Sequence, residues 1–488
     1  MLSAFSVYGA PCTITVPAGG DIQAAIDAAN PGDVICLVLG GTYTPAATIQ
    51  VNKSITLTSS DPYSVTKPII DGSGTLPQII HIKADDVIID GLEIRNGTAD
   101  LVKSHETDLD PAVARITIRN CNIHNSTGDE AVQLKYCTDC LIECIIAHDI
   151  RQDGICMAYS TRGTISNCEV YNSNSDNAAI YVYNSYDMNV ECNYIHDNTA
   201  SNGIFLYKNY GTSHTVANNL VVNNIWDGKK RNYDEADGNT INIYKPQVTS
   251  TYVIQHNTLD NNTGEDSSNN PTGNAIYLND YDQKGFSTNI VDNIITNHNG
   301  YGIRTKFWTY GAIANYDYND LWQNADGATD GNPVDGGHNI SADPLYNVDY
   351  SLQSGSPCKG TASDSKDMGV LFNECSKCEP PTLIVLSSFT ATPSNKKAII
   401  EWVTETEIDN AGFNLHRAES EDGEYVKING SLIPAEGNGT SGASYQYIDN
   451  DVKNRTTYYY KLEDIDLSGN STMHGPVSAM LRRVRSAK

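Results

Sequence analysis

The central part of the chain, from about Asn120 to Asn324, repeats one short pattern. Four cysteines spaced 23, 24 and 24 residues apart mark it, and asparagine continues the frame at wider intervals. The frame residues are Cys121, Cys144, Cys168, Cys192, Asn219, Asn257, Asn293 and Asn319. A second segment recurs in register: AVQL at 131–134, GICM at 154–157, AIYV at 179–182, GIFL at 203–206, TINI at 240–243, AIYL at 275–278 and GIRT at 302–305. Repeats this short bury apolar side chains only by stacking on one another, so the pattern predicts a solenoid.

Each repeat contains two or three short runs rich in β-branched residues, separated by Asn, Asp, Ser and Gly, and no run has a helical period. The solenoid should therefore be a parallel β-helix with equivalent residues about 4.8 Å apart in vertical columns. This pattern resembles the right-handed parallel β-helix proteins of the pectate-lyase-like superfamily over roughly Cys12 to Cys378. The expected fold class is all-β, a right-handed parallel β-helix followed by a small antiparallel β-sandwich.

The two ends of the solenoid carry their own signals. Asp21 is a candidate N-cap for a short helix with an apolar stripe, stopped by Pro31 and Gly32. This segment is similar to the strand and helix that close the first coil of exported β-helix proteins, where they cover an open sheet edge. The closing coils of the same superfamily resemble residues 342–370, and the segment 101–111 breaks the repeat and is expected to be a loop.

The expected domain organisation has five parts. They are a remnant of a secretion signal (1–11), the β-helix with its N-terminal helical cap (12–379), a Pro-Pro linker (380–385), a β-sandwich (386–480) and a tail (481–488). The sandwich is expected from short alternating strands with an early Trp402 and a Tyr-rich late strand. It looks like a fibronectin type III-like module of exported bacterial proteins, which implies spacing or anchoring rather than chemistry.

The amino-acid composition restricts the classes of binding partner that the protein could have. The formal net charge of −27 argues against nucleic acid and anionic membranes, because both require clustered Lys and Arg. No apolar run reaches the length of a membrane span. We expect a secreted or cell-surface protein with a polysaccharide partner; an acidic polysaccharide would need a bridging divalent cation.

The twelve cysteines divide by position. The four frame cysteines are expected to form a buried column of thiols. At the solenoid ends, Cys12 is expected to pair with Cys36, and Cys358 with Cys375 or Cys378. The Cys137–Cys140 pair has the spacing of half a zinc site or of a redox pair, but a turn between coils is favoured because no second CxxC or His pair lies at zinc spacing.

Alternation along the second repeated segment places isoleucines inside and the residues between them outside. Two outward columns then collect aromatic rings with cationic residues at their margin. Flat amphipathic rings in rows suit the faces of sugars, although such ladders also stabilise sheets by themselves. The candidate substrate-binding residues are Tyr181, Tyr183, Phe205, Tyr207, Tyr244, Tyr277 and Arg304. Two insertions, 224–239 and 262–274, precede this sheet and are expected to wall a cleft.

The turn before the same sheet stacks Glu130 above Asp153, two carboxylates on adjacent coils about 5 Å apart. Such a pair either shares a proton or holds a cation, and Ca²⁺ takes oxygen ligands of this type. Asp129 and Asp149 are close in sequence and complete the candidate metal site. A solvated acidic turn is the alternative.

In the enzymes that this fold resembles, a Lys or Arg removes the proton next to a uronic carboxylate while a metal neutralises that carboxylate. By position, Lys208, Lys245 or Lys135 is the candidate catalytic base. The resemblance thus implies a carbohydrate-binding or carbohydrate-processing protein, with a Ca²⁺-assisted polysaccharide lyase or related enzyme as the specific expectation. The Asp-Pro-His run of alginate epimerases is absent, because Asp110 and Pro111 are followed by Ala112. The alternative is a non-catalytic adhesin, sheath or fibre subunit that self-assembles through the β-helix or the C-terminal domain.

Overall fold

The structure is a computed structural model. It describes residues 12–105, 110–175, 177–211, 213–227, 238–247, 250–265, 273–307, 312–375, 378, 384–394, 396–407, 410–421, 423, 425–436, 443–466 and 471–481. The chain divides into two compact units near residue 379, and Cys12–Cys378 forms the first. The expected signal remnant, the tail after Leu481 and the centres of the two insertions (228–237 and 266–272) lie outside the described residues.

Three long parallel sheets, named A, B and C here, make up the first unit. The described strands of sheet A are Ile14–Val16, Val34–Leu37, Thr56–Ser59, Ile88–Asp90, Thr117–Arg119, Leu141–Glu143, Thr164–Ser166, Asn189–Glu191, His214–Ala217, Thr251–Gln255, Ser287–Val291, Ile313–Asp317 and Val334–Asp335. Those of sheet B are Thr42–Tyr43, Ile69–Asp71, Glu93–Gly97, Asn122–Ser126, Ile146–Ile150, Glu169–Tyr171, Tyr194–His196, Leu220–Val222, Thr258–Asp260, Ile294–Thr296 and Asp320–Trp322.

Sheet C contains the second repeated segment. Its described strands are Ile49–Val51, Ile80–Ile82, Val102–Ser104, Val132–Lys135, Ile155–Ala158, Ala178–Tyr183, Asn202–Tyr207, Asn239–Tyr244, Ile276–Asp280, Tyr301–Phe307 and Gly327–Asp330. Two minor parallel sheets line the turns: Val113–Ala114 with Cys137–Thr138, and Thr199–Ala200 with Ile225–Asp227 and Thr263–Glu265. Each coil contributes one strand to each long sheet, which confirms the predicted parallel β-helix.

The expected loop at 101–111 is partly wrong. Val102–Ser104 pairs in parallel with Ile80–Ile82 on one side and with Val132–Gln133 on the other, so it is a strand of sheet C. Its outward residue is Lys103. Because Lys is uncommon in short strands, the sequence pattern did not predict this three-residue strand.

Apolar columns fill the interior. The isoleucines of the second repeated segment stack with complete burial: Ile155, Ile180, Ile204, Ile241, Ile276 and Ile303. At the corner between sheets A and B, the asparagine frame forms a buried ladder. Each rung accepts the backbone N–H of the coil before it, for example Asn219 N to Asn257 Oδ1 at 3.0 Å. Side-chain amides thus satisfy turn groups that the parallel strands leave unpaired.

The N-terminal cap forms as predicted. The helix Ile22–Ala28 begins after Asp21, whose side chain accepts a hydrogen bond from Ala24 N at 3.0 Å. Ile22 and Ile26 are buried against the first coil. The helix therefore closes the apolar end of the solenoid. Among the described residues, no helix is long and apolar enough to cross a membrane.

Four disulfides are present: Cys12–Cys36, Cys137–Cys140, Cys144–Cys378 and Cys192–Cys375. The first pairing is confirmed. The expected pairing of Cys358 is wrong, since Cys358 is a buried free thiol that donates to Asp320 Oδ2 at 3.2 Å. The expected thiol column is also wrong for two members, because the register runs one residue differently from the spacing. The strand register aligns Cys144 and Cys192 with Asn120 and Asn167 of the neighbouring coils. All four residues have positive φ at the corner between sheets A and B, where the side chain points outward.

After the last coil, residues 356–375 and Cys378 run back along this A/B corner; we call these residues the C-terminal strap. Cys358 contacts Asp320, Leu371 N donates to Asn218 Oδ1 at 3.3 Å, and Cys375 and Cys378 are disulfide-bonded to earlier coils. The strap therefore crosses the coils in the reverse of their chain order. It ties the C-terminal end of the solenoid to its middle.

The second unit is an antiparallel β-sandwich. One sheet contains Ile384–Ser394, Lys397–Glu407 and Ser444–Asp449; the other contains Val426–Lys427, Asn410–Ala418, Thr457–Asp466 and Ser471–Met480, with Ile433–Pro434 beside Asn410–Ala418. Trp402 of the first sheet packs on Phe413 of the second with centroids 5.4 Å apart. This core is separate from that of the solenoid.

Candidate functional site

The outer face of sheet C carries the side chains that alternate with its buried isoleucines. Tyr181 pairs with Phe205, Tyr207 lies between Tyr183 and Tyr244, and Tyr277 precedes Arg304 in the strand register. The seven candidate substrate-binding residues therefore share one face, in the two columns expected from the sequence.

Neighbouring rings in these columns stack on each other. Ring centroids are 5.4 Å apart for Tyr181 and Phe205, 5.3 Å for Tyr183 and Tyr207, and 5.6 Å for Tyr207 and Tyr244, with planes 20° to 24° apart. Rings that meet by their faces turn their edges outward. The buried members are Tyr181, Phe205, Tyr244 and Tyr277.

This differs from the expectation that the columns offer flat ring faces to a sugar. The coil spacing is close to an aromatic stacking distance, so the ladder uses the ring faces itself. Tyr183 and Tyr207 are only partly buried, so part of each side chain remains accessible. Arg304 does not extend the ladder as a free cation, since its Nε contacts Asp330 Oδ2 at 3.0 Å.

Two exposed tyrosines were missed by sequence reasoning. Tyr136 and Tyr159 follow the strands Val132–Lys135 and Ile155–Ala158 at a left-handed corner, with φ of 51° and 52°. Their rings stack at 4.9 Å and are 39% and 36% exposed. Tyr159 also meets Tyr183 edge to face at 5.2 Å. A hydrogen bond with Tyr183, added to by burial, raises the pKa of Tyr159 to about 12, so this hydroxyl stays neutral. We call Tyr136, Tyr159, Tyr183 and Tyr207 the tyrosine strip.

Lys208 and Lys245 have the same positive-φ corner position as Tyr159, two and three coils further along the β-helix. Lys208 Nζ lies 5.1 Å from the centroid of the Tyr207 ring, and Lys245 Nζ lies 4.8 Å from that of Tyr244. Partial burial works to lower the pKa of Lys208, but the neighbouring Tyr207 phenol outweighs it and the pKa is raised. A catalytic base needs the opposite shift. Lys208 is therefore better suited to contact an anionic chain than to remove a proton.

Lys135 lies at the other end of the strip, beside a buried group of charged residues. Asp100, Asp129 and Glu130 each bring a carboxylate oxygen within 4.8 Å of the others, and Lys103 Nζ contacts Asp100 Oδ2 at 2.9 Å. We call Asp100, Lys103, Asp129 and Glu130 the acid cluster. Asp100 and Lys103 belong to the segment that was expected to be a loop. Their signal was the run DLVK at 100–103, which matches EAVQ at 130–133.

The acid cluster holds a proton. Burial first, then the adjacent Asp100 and the charge of Asp153, raise the pKa of Glu130 well above its ordinary value. Burial would also raise the pKa of Asp100, but the hydrogen bond with Glu130 and the Lys103 ammonium hold it below the ordinary value. The pair therefore combines a neutral Glu130 with an ionised Asp100. Burial and the nearby Asp100 charge also raise the pKa of Asp129.

The other two candidate metal ligands are placed differently. Asp153 is fully buried and within 4.8 Å of Glu130, but it also accepts hydrogen bonds from Ser175 Oγ, Asn177 Nδ2 and Ala178 N at 2.9–3.1 Å. It therefore anchors the next coil as well. Asp149 is wrong as a member of this site, because it lies on sheet B, where it contacts His148 Nδ1 at 2.7 Å. It lines a separate groove of about 720 Å³.

A divalent cation fits the acid cluster. Ca²⁺ binds oxygens at about 2.3–2.6 Å, so two ligands of one ion lie up to about 5 Å apart, and the 4.8 Å limit on this group satisfies that condition. Two buried oxygens, Asp100 Oδ1 and Gln133 Oε1, accept no hydrogen bond. A hard cation could bind to them. The donor set of carboxylates and an amide oxygen is the type that Ca²⁺ prefers.

Comparisons with known proteins agree with this architecture. Residues 70–233 match the family model described as a right handed beta helix region. The solenoid is a right-handed parallel β-helix. No curated protein sequence matches the chain significantly.

Solved structures similar to the β-helix are distant. The A-module of mannuronan C-5 epimerase AlgE6 from Azotobacter vinelandii aligns at 15% identity over 66% of this chain and 94% of that chain, with a TM-score of 0.39. The catalytic unit of an α-1,3-glucanase from Streptomyces thermodiastaticus aligns at 14% identity over 69% of each chain, with a TM-score of 0.38. A Fn3-like protein from Clostridium thermocellum aligns at 16% identity over 21% of this chain and 99% of that chain, with a TM-score of 0.16. None of these values supports a transfer of activity.

The acid cluster and the tyrosine strip lie at opposite ends of the same strand of sheet C. Glu130 precedes the strand that ends at Lys135, Tyr136 follows that strand, and Tyr159 lies one coil further on. Glu130 and Tyr136 are six residues apart, roughly 20 Å at about 3.3 Å per residue, so a chain bound along the strip would pass Lys135 and lie across the width of sheet C from Glu130. This strand thus connects the acid cluster to the tyrosine strip.

Proposed function

We propose that the protein is an exported carbohydrate-active β-helix that binds polysaccharide along the tyrosine strip and processes it at the acid cluster. The observation that carries this proposal is the neutral Glu130 beside the ionised Asp100 and Lys103, on the same strands of sheet C that carry the tyrosine strip. Strongly shifted carboxyl groups next to a binding surface are typical of acid–base sites. The aromatic track suits sugar edges and hydroxyls.

The chemistry that this arrangement favours is β-elimination on a uronate polymer. Lys135 would accept the proton next to the uronic carboxylate, the electron pair would form the new double bond, and the glycosidic oxygen would leave with the proton of Glu130. A Ca²⁺ held by Asp100 and Asp129 would supply charge neutralisation at the substrate carboxylate, while Glu130 keeps the proton that it gives to the leaving group. Lys135 is preferred to Lys208 as the base because of its position, since it lies beside the carboxylates that would hold the substrate's uronate through Ca²⁺.

Two further features support action outside the cytoplasm. The four disulfides are typical of oxidising compartments. The C-terminal sandwich is of the size and strand pattern of fibronectin type III-like modules, and we propose that it spaces or anchors the β-helix. It carries no part of the proposed chemistry.

The test is turnover of polymers. Purified protein is incubated with a panel of uronate and neutral polysaccharides, with and without EDTA, and new double bonds and new reducing ends are measured. We expect unsaturated product on an acidic polymer and its loss with EDTA. The variants Lys135→Gln and Glu130→Gln should lower kcat by about 100-fold or more, the usual contribution of a general acid or base. Asp149→Asn is the matched control and should keep full activity.

A second candidate is the non-catalytic surface protein that assembles with itself. The burial of four ladder rings favours it, because a ladder that stacks on itself can be purely structural. No product on any polymer, together with ordered filaments or sheets in electron micrographs, would replace the enzyme proposal with this one. Loss of activity in Lys208→Gln with an unchanged Lys135→Gln would keep the enzyme but refute the assigned base.

A further inference from the structure

A second group of metal-ligand residues lies far from sheet C, where the C-terminal strap crosses the A/B corner. His256 and Asp292 occupy equivalent left-handed corner positions on adjacent coils, with φ of 52° and 62°. The strap places Asp364 over them. One ligand atom from each of the three residues lies within 4.8 Å of the other two.

The imidazole is aimed between the two carboxylates. His256 Nε2 lies 3.7 Å from Asp292 Oδ2 and 3.5 Å from Asp364 Oδ2, longer than ordinary hydrogen bonds. The His256 side chain is only 7% exposed, and its Nδ1 has no hydrogen-bond partner. A buried imidazole that faces two carboxylates without bonding to either leaves a gap that an ion fits.

The distances select the kind of ion. Ligands at about 2.0–2.1 Å in tetrahedral geometry are about 3.3–3.4 Å apart, close to the two contacts of His256. One imidazole nitrogen with carboxylate oxygens is a donor set for zinc and similar transition metals rather than for Ca²⁺. We propose that His256, Asp292 and Asp364 form a zinc-type site that pins the strap to the β-helix. Solvent completes the coordination on the side of Asp364, whose side chain is 37% exposed.

The neighbours of the site define what a metal must displace. Lys366 Nζ contacts Asp364 Oδ2 at 3.1 Å and also contacts Glu374, but it is 46% exposed. An exposed ion pair of this kind contributes little, so a divalent metal can take its place. Ser363 donates from N and Oγ to the two oxygens of Asp292 at 2.6 Å, which fixes the carboxylate. The site lies between the strap's disulfides and its contact at Cys358, where no covalent bond holds it.

The experiment measures Zn²⁺ bound to the full oxidised chain. Protein is stripped with a chelator, dialysed against Zn²⁺ alone and analysed for metal per chain and for affinity by calorimetry. We expect one tight Zn²⁺ per chain in the wild type. His256→Gln and Asp364→Asn should weaken it by about 100-fold or more, since they remove a direct ligand. His148→Gln, which changes a histidine beside Asp149 on sheet B, should keep it.

Two readouts keep the outcome clear. Co²⁺ in place of Zn²⁺ should give the intense visible absorption bands of a tetrahedral site in the wild type but not in Asp364→Asn. Because the Asp364 side chain is exposed, this substitution should leave the fold intact, and loss of the bands then reports loss of a ligand. Absence of tight Zn²⁺ in the wild type, or equal binding by His256→Gln, overturns the proposal. Glu130→Gln should bind Zn²⁺ normally, so failure of the polysaccharide proposal leaves this result unaffected.

Discussion

Replacement of Asn257 by alanine should destabilise the β-helix more than any exposed asparagine change. Asn257 is fully buried at the A/B corner. Its Nδ2 donates to Val216 O, Gln255 O and Asn293 Oδ1 at 2.9–3.0 Å. Its Oδ1 accepts both the backbone N–H and the side-chain amide of Asn219. The alanine variant removes all five bonds at one rung of the ladder.

The magnitude follows from the groups left without partners. Asn219 loses an acceptor for two buried donors, one from the backbone and one from its side chain. A buried donor without a partner costs about 1–3 kcal/mol, so the loss in the free energy of unfolding should be about 2–6 kcal/mol. A water that enters the vacated space would bring the value towards the lower end.

The assay is equilibrium unfolding in urea under oxidising conditions, with hydrogen exchange to follow the corner amides. Asn289→Ala is the matched control: Asn289 is exposed and accepts one amide bond from Asn315 at 3.2 Å. It should change stability by no more than about 0.5 kcal/mol. The ladder argument is refuted when Asn257→Ala and Asn289→Ala lose equal stability, or when the N–H of Asn219 keeps full protection in Asn257→Ala.

Three other predictions concern the site and the cysteines. The raised pKa of Glu130 means that the folded state keeps a proton that the unfolded state releases above pH 4.5. In the presence of a chelator, Glu130→Gln should therefore raise the melting temperature at neutral pH, and this gain should disappear below pH 4.5. Thermal melts measured across this pH range test the prediction. Tyr159→Ala should weaken binding of the best polymer of the panel by roughly 2- to 12-fold with little loss of stability, whereas Phe205→Leu should lower stability and leave the affinity unchanged, as calorimetry and melting would show. Denatured, unreduced protein should react with four equivalents of an alkylating reagent and native protein with none, and mass spectrometry should locate the labels on Cys121, Cys156, Cys168 and Cys358.

The fold was predictable because one physical requirement repeats along the chain. Each coil must bury an isoleucine and satisfy a turn, so positions such as Ile204 and Asn257 recur and reveal both the solenoid and the strand alternation. The register of the cysteines was not predictable from spacing alone. Coils of unequal length shift Cys144 and Cys192 by one residue, from the inward column to the outward corner. Because of this one-residue difference in register, Cys144 and Cys192 are not buried thiols but form disulfides with the strap.

The candidate site was predictable only in part. Alternation placed Glu130, Lys135 and the ring columns on one face, because vertical stacking turns a repeat into a surface. It did not predict which rings are covered, since burial of Phe205 depends on three-dimensional neighbours. Alternation also did not predict the positions of Lys103 and Tyr159. Lys103 lies in a short strand whose polar residue is not typical of strands, and Tyr159 lies at a corner between the strands that the pattern describes.

Stacking also explains why the pKa values of Asp100 and Glu130 are shifted in opposite directions. A column of like side chains is stable when each member satisfies the next: amides donate and accept in turn, as Asn219 and Asn257 do, and aromatic rings such as Tyr183 and Tyr207 stack face to face. Carboxylates cannot do this, because like charges at a coil spacing repel unless a proton or a cation lies between them. Glu130 beside Asp100 is therefore a place where stacking leaves a charge to be compensated from outside the ladder. In the proposed function, the compensating proton is the one that Glu130 gives to the leaving glycosidic oxygen.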